Sequence, residues 1–218
     1  MELISVIKAR SIWIFDFAEL NPRGKRIQTE FLPWLKESYN FSKFPSSQDD
    51  LDETKALAFL DGSFQASPKD TVSIDLRIYS DGFVVDSRSS TKVSDDFMDE
   101  VLTRVARDFD LAYNPKIVRK KLYASELNVR CKRGLQTLNP KLKDFANKLS
   151  KLMHSQVELS SVGFWSEQRA STPFSPFRFE RKLNADFSEN RYYSAAPLQT
   201  EDHLKLLDEL EMILADNP

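Results

Sequence analysis

Apolar residues along this chain recur at two spacings, and the order of the spacings repeats. From Leu3 to Phe17 the chain is strand-like. After it, Ile27, Phe31, Trp34 and Leu35 fall near the i, i+4, i+7, i+8 stripe of a helix, with Pro33 placed to kink it. Between Thr71 and Ser80, Val72, Ile74, Leu76 and Ile78 alternate with Thr71, Ser73, Asp75, Arg77 and Tyr79. Such alternation predicts an antiparallel strand with one buried face. Asp81-Gly82 then predicts a hairpin turn, and Phe83, Val84 and Val85 return as its partner. Ser94, followed by Asp95 and Asp96, is expected to cap a closing helix.

The same series follows from Ile117. A strand is expected to Cys131, then a helix on Leu142, Phe145, Leu149 and Leu152. Phe177, Phe179, Arg181 and Leu183 alternate with Arg178, Glu180 and Lys182, and a polar turn leads to Arg191-Tyr192-Tyr193. Thr200, with Glu201 and Asp202, opens a last helix whose stripe is Leu204, Leu207, Leu210 and Leu214. Leu20-Asn21-Pro22 recurs as Leu138-Asn139-Pro140 between the first strand and the helix of each series. The expected fold is therefore α+β: two similar strand-helix-strands-helix halves, forming antiparallel sheet with helices on one side. The halves are 1–113 and 114–218, joined at the turn-prone Tyr113-Asn114-Pro115. The first is longer by about the size of 41–55, a polar stretch read as a surface-loop insertion.

The strand, turn and helix around Ile78-Tyr79-Ser80-Asp81-Gly82-Phe83-Val84-Val85 and Ser94 resemble those of the TATA-binding-protein family. The resemblance implies a tandem-repeat saddle with helices on its back, and nucleic acid as a partner class. That family's intercalating phenylalanines flank strand turns, and Phe59, Phe64, Phe164 and Phe174 sit near comparable turns here.

Composition narrows the chemistry. The chain has 218 residues, 41% hydrophobic and 29% charged, as in ordinary globular proteins. Its single cysteine, Cys131, cannot make an internal disulfide. No apolar run approaches the ~18 residues of a membrane span, and the start lacks a basic and apolar leader, so a cytoplasmic protein with no membrane partner is expected. The glycines are isolated, so no phosphate-binding loop is expected. Cys131, His154 and His203 are too few for a structural zinc site, and no cofactor or metal is expected. Cys131 reads as a core residue, His203 as a solvated first-turn residue and His154 as a helix-ending one. Glu180-Arg181-Lys182 has the Glu-x-Lys spacing of metal-dependent nucleases, for which Glu158 or Glu167 would supply the second acid.

The net charge of −2 conceals an asymmetry. Residues 1–113 carry −6, residues 114–154 carry +9 and residues 155–218 carry −5. The positive block holds Arg119, Lys120, Lys121, Arg130, Lys132 and Arg133, then Lys141, Lys143, Lys148 and Lys151. Strand parity sets Lys120, Glu126, Asn128, Arg130 and Lys132 on one face, opposite Leu127 and Val129. Lys120, Arg130 and Lys132 are therefore the expected partner contacts, with Arg119, Lys121 and Arg133 beside them. Three readings follow. The first is a non-catalytic protein that binds another protein through an exposed sheet face and the basic block. The second is a nucleic-acid binder using the same block, with Tyr123 or Tyr192 stacking on bases. The third is a carboxylate-dependent hydrolase built on Glu180 or Asp75. Oligomeric state is left open by the sequence.

Overall fold

The computed structural model describes residues 1–46, 56–165, 167 and 176–216. The chain divides into two units, Lys8–Ala124 and Met1–Ile7 with Ser125–Pro218. Strand β1 (Glu2–Ile14) and strand β5 (Lys120–Arg130) each give residues to both. The boundary in β1 coincides with a change of inward parity: Val6 packs on the second unit's core, whereas Ala9, Ser11 and Trp13 are buried in the first.

The first unit continues through α1 (Phe17–Leu20), α2 (Gln28–Tyr39), β2 (Leu57–Ser67), β3 (Asp70–Tyr79), β4 (Gly82–Ser87) and α3 (Thr91–Phe109). Its strands lie in the order β2-β3-β4-β1, and β2–β3, β3–β4 and β4–β1 pair antiparallel. Val72, Ile74, Leu76 and Ile78 all turn into the core, as their alternation requires. Helix α2 runs through Pro33 and buries Phe31, Leu35 and Tyr39. Tyr39 and Phe97 of α3 meet edge to face, ring centres 4.9 Å apart. Gly82 has φ 153°, and a Cβ there would lie 2.1 Å from the Trp13 carbonyl oxygen, so the turn admits glycine alone.

The second unit contains the rest of β5, a 3-10 turn at Leu135–Thr137, α4 (Pro140–Met153), β6 (Ser161–Phe164), β7 (Phe177–Arg181), β8 (Arg191–Ala196) and α5 (Thr200–Asp216). Its strands lie in the order β5-β8-β7-β6, which is β1-β4-β3-β2 element for element. The fold is α+β in two like halves. Leu127, Val129, Phe179 and Tyr192 of the strands are buried with Leu207 and Leu214 of α5.

Several local expectations are corrected. Ser90, not Ser94, caps α3, its side chain accepting from the Val93 N–H at 3.2 Å. Ser94 lies a turn further in, fully buried, and donates to the Ala9 carbonyl at 2.9 Å. Leu183 does not extend the alternation of β7: the strand ends at Arg181, Asn184 turns left-handed, and Leu183 is 88% exposed. The two Leu-Asn-Pro copies serve different ends. Asn139 caps α4 directly, accepting from the Lys141 N–H at 2.9 Å, with Pro140 as first helical residue. Asn21 instead ends α1 and ties back the loop at Lys25, so α2 starts only at Gln28. Of the stretch read as a surface loop, Phe41 and Pro45 are buried and Lys43 bridges to Leu60. A Cβ on Gly62 would lie 2.4 Å from the Phe41 ring, so this segment is packed on β2. Residues 47–55 lie outside the described residues.

Candidate binding surfaces

Strand β5 sets the geometry. In the second unit Ser125, Leu127 and Val129 point into the core, while Glu126 and Asn128 are half-buried and Arg130 is exposed. The second set belongs to a sheet face bearing polar side chains. Opposite Asn128 and Arg130 stand Tyr193 and Arg191 of β8. Opposite Tyr193 and Ala195 stand Glu180 and Arg178 of β7. Two arginines of this face have carboxylate partners. Arg130 donates to Glu2 at 3.1 Å and Arg191 to Glu189 at 3.4 Å. Lys182 donates to the Asn128 side-chain oxygen at 3.2 Å, and Asn128 to the Ser5 hydroxyl at 2.9 Å. Burial, with Glu126 beside it, pushes the Tyr193 hydroxyl up to about 12.

The first unit's corresponding face is also paired. Arg10 grips Asp86 with two hydrogen bonds of 2.6 and 2.8 Å, and Arg77 adds a third at 3.0 Å. Burial alone would raise the Asp86 carboxyl, but the two guanidiniums overcome it and hold its pKa below the ordinary value.

The six basic residues singled out by sequence are divided between the units. Lys120 is exposed, on the polar parity of β5. Lys121 lies on the other parity, its ammonium 3.6 Å from the centre of the Trp13 ring and 4.0 Å from Asp95. Arg119 is exposed and pairs with Glu19. All three belong to the first unit. Arg130, Lys132 and Arg133 belong to the second and are exposed. Lys132 follows the end of β5, its backbone N–H donating to Glu211 at 2.9 Å.

The later lysines of the block lie on α4, which is unlike α2. Only Ala146 of α4 is buried; Leu142, Phe145, Leu152 and Met153 are exposed, Phe145 at 59% and Leu152 at 79%. A helix with an apolar stripe ordinarily buries it, and this one presents it to solvent among Lys141, Lys143, Lys148 and Lys151.

Other candidate chemistry is drawn into packing. His203 is fully buried, not solvated. Ser194 donates to the Arg178 carbonyl at 2.9 Å, so its lone pairs receive the His203 Nε2–H at 2.8 Å. His203 Nδ1 then accepts the Ser125 hydroxyl at 2.7 Å. Burial pushes the ring's pKa down to about 4. A serine against a histidine has the makings of a nucleophile and base, but all three side chains here are sealed in the core. The sequence carried a signal for this: His203 stands four residues before Leu207, on the same stripe. Ser125 and Ser194 share parity with Leu127 and Tyr192, and an inward hydroxyl needs a partner.

Cys131 is buried, which pushes its thiol up to about 12, away from the nucleophilic thiolate. Glu158 is paired with Arg181 at 2.6 Å, both nearly buried, and Glu180 lies on the opposite parity of β7 from Arg181. Glu167 is exposed, and Asp75 accepts the Asp61 backbone N–H at 2.8 Å. Among the described residues no group of three or more His, Cys, Asp or Glu could hold a metal ion. Of the two stacking candidates, Tyr192 is corrected and Tyr123 is half-buried. Tyr192 is fully buried, its hydroxyl accepting the Leu135 N–H at 3.0 Å. Tyr123 donates to Asp95 at 2.9 Å. Phe59 and Phe64 are core residues, Phe164 is exposed, and Phe174 lies outside the described residues. Among the described residues no helix is long and apolar enough to cross a membrane.

No family model and no curated protein matches this chain. Among solved structures it is similar to Methanococcus jannaschii TBP, at 12% sequence identity and a TM-score of 0.45, over 99% of this chain and 98% of that one.

Proposed function

We propose that this chain is a binding protein whose partner is another protein, met at the polar sheet face and the basic ends of β5. Lys120, Arg130 and Lys132 make the principal contacts, with Arg119, Lys121 and Arg133 supporting them. The observation that carries this reading is the alternation on β5. Core residues Ser125, Leu127 and Val129 take one parity, and Glu126, Asn128 and Arg130 are left on the other. Protein is favoured over nucleic acid because, on the polar face of each unit taken by itself, arginines have carboxylates within reach. Arg130 has Glu2, and Arg10 and Arg77 share Asp86. Phosphate binding draws its strength from cations that displace counterions, and an arginine already paired with a carboxylate offers less to it.

The test is a Lys120→Glu/Arg130→Glu/Lys132→Glu variant, compared with the parent in affinity capture from the source cells and in binding to duplex DNA at low and moderate salt. The expected result is a folded variant that loses a protein retained by the parent, with weak duplex binding by both. A variant that retains everything the parent retains removes the reading. Steeply salt-dependent duplex binding by the parent, lost in the variant, replaces the protein partner with nucleic acid.

A further inference from the structure

Two helices of the second unit have outward seams that match each other in spacing and oppose each other in charge. On α4, Lys141, Phe145, Lys148 and Leu152 stand at i, i+4, i+7 and i+11 and are all exposed. On α5, Asp202, Leu206, Glu209 and Ile213 stand at the same intervals and are all exposed, Leu206 at 38% and Ile213 at 51%. One seam reads base, apolar, base, apolar; the other reads acid, apolar, acid, apolar. The wider setting agrees. Helix α4 holds four lysines and one acid, Asp144, while α5 holds six acids and one base, Lys205. Met153 and Met212 extend the two apolar strips, both exposed.

We infer that α4 of one copy of this chain docks alongside α5 of a second copy. A parallel arrangement sets Lys141 by Asp202, Phe145 by Leu206, Lys148 by Glu209 and Leu152 by Ile213. An antiparallel arrangement would set Phe145 by Glu209 and Lys148 by Leu206, so the sequence specifies parallel helices. Docking also covers an apolar stripe that the chain's own fold leaves in water, and that burial supplies the driving force. The charges choose the partner and the register. A competing contact is the Asp202–Lys205 pair at 3.1 Å on α5 itself, an exposed ion pair that exchanges readily. This contact uses neither Lys120, Arg130 nor Lys132, so it stands or falls apart from the partner reading above.

Sedimentation velocity tests it from ~1 μM to ~1 mM, a range over which weak pairs form. The parent is expected to self-associate, less so as salt screens the seam. Lys141→Glu/Lys148→Glu and Asp202→Lys/Glu209→Lys variants should each associate at least ~10-fold more weakly. Mixed in equal amounts they should associate again, because the acidic α4 of one then faces the basic α5 of the other. Circular dichroism checks that each is folded, and the single variants Lys148→Glu and Glu209→Lys repeat the swap with less perturbation. A monomeric parent, variants that associate like the parent, or a mixture that stays monomeric each overturn the inference. A monomeric parent whose α4 lysines instead bind vesicles of phosphatidylserine and phosphatidylcholine would assign the stripe to a membrane surface.

Discussion

At His203 a buried imidazole makes stability depend on pH. The unfolded ring takes up a proton at its ordinary value near 6.5, whereas the folded ring resists protonation down to about 4. Protons therefore favour the unfolded chain between those values. The contribution is complete above pH 6.5 and is lost as pH falls towards 4, about 3 kcal/mol in all. His203→Ala should cost about 3 kcal/mol at pH 7, because it leaves a cavity and two buried hydroxyls to find new partners. It should also flatten the difference in stability between pH 7 and 4.5. Denaturant titrations of parent and variant at several pH values measure both effects; equal pH dependence would show that the ring is not neutral when folded. Cys131→Ala, by contrast, removes a small buried thiol and should cost only a modest packing loss.

At the scale of elements, periodicity predicted those built from one strong repeat. The alternation of Val72, Ile74, Leu76 and Ile78 became β3, and the stripe ending in Leu207 and Leu214 became the buried side of α5. What escaped depended on tertiary partners. Ser94 looks like a cap until Ser90 accepts the Val93 N–H and Ala9 claims the Ser94 hydroxyl. Leu142 and Phe145 have the periodicity of core residues, and nothing in a stripe says whether the rest of the chain will cover it. The candidate site was legible as parity on β5, but the carboxylates beside its arginines come from distant positions, Glu2 by Arg130 and Glu19 by Arg119, which spacing does not reveal. The contrast between α2 and α4 gives a direct prediction. Leu35→Ala should cost ~2–5 kcal/mol, as should Leu76→Ala and Leu207→Ala. Leu152→Ala, on an exposed stripe, should stay within ~0.5 kcal/mol at concentrations too low for association. A loss at Leu152 as large as at Leu35 would mean that the stripe of α4 is covered.

At the scale of the whole molecule, the two halves repeat one order of elements, and the boundaries of the compact units fall within β1 and β5. The sequence breaks at 113 and 114; the first unit extends to Ala124. It gains Tyr123 hydrogen-bonded to Asp95, Lys121 over Trp13, and the Arg119 N–H donating to the Ile14 carbonyl at 2.9 Å. A fragment of residues 8–124 should therefore be more resistant to denaturant than one of residues 1–113, and the reverse order would favour the sequence boundary.

The proposal that the basic ends of β5 meet a protein partner is tested most directly by the reactivity of two amines. Lys120 and Lys132 are exposed, as is Lys69 in the turn between β2 and β3. Acetylation by a water-soluble reagent, read by mass spectrometry with and without the captured partner, compares all three in one experiment. Protection of Lys120 and Lys132 on binding, with Lys69 unchanged, is the predicted result. Unchanged reactivity at Lys120 and Lys132 in a complex that has formed would contradict it.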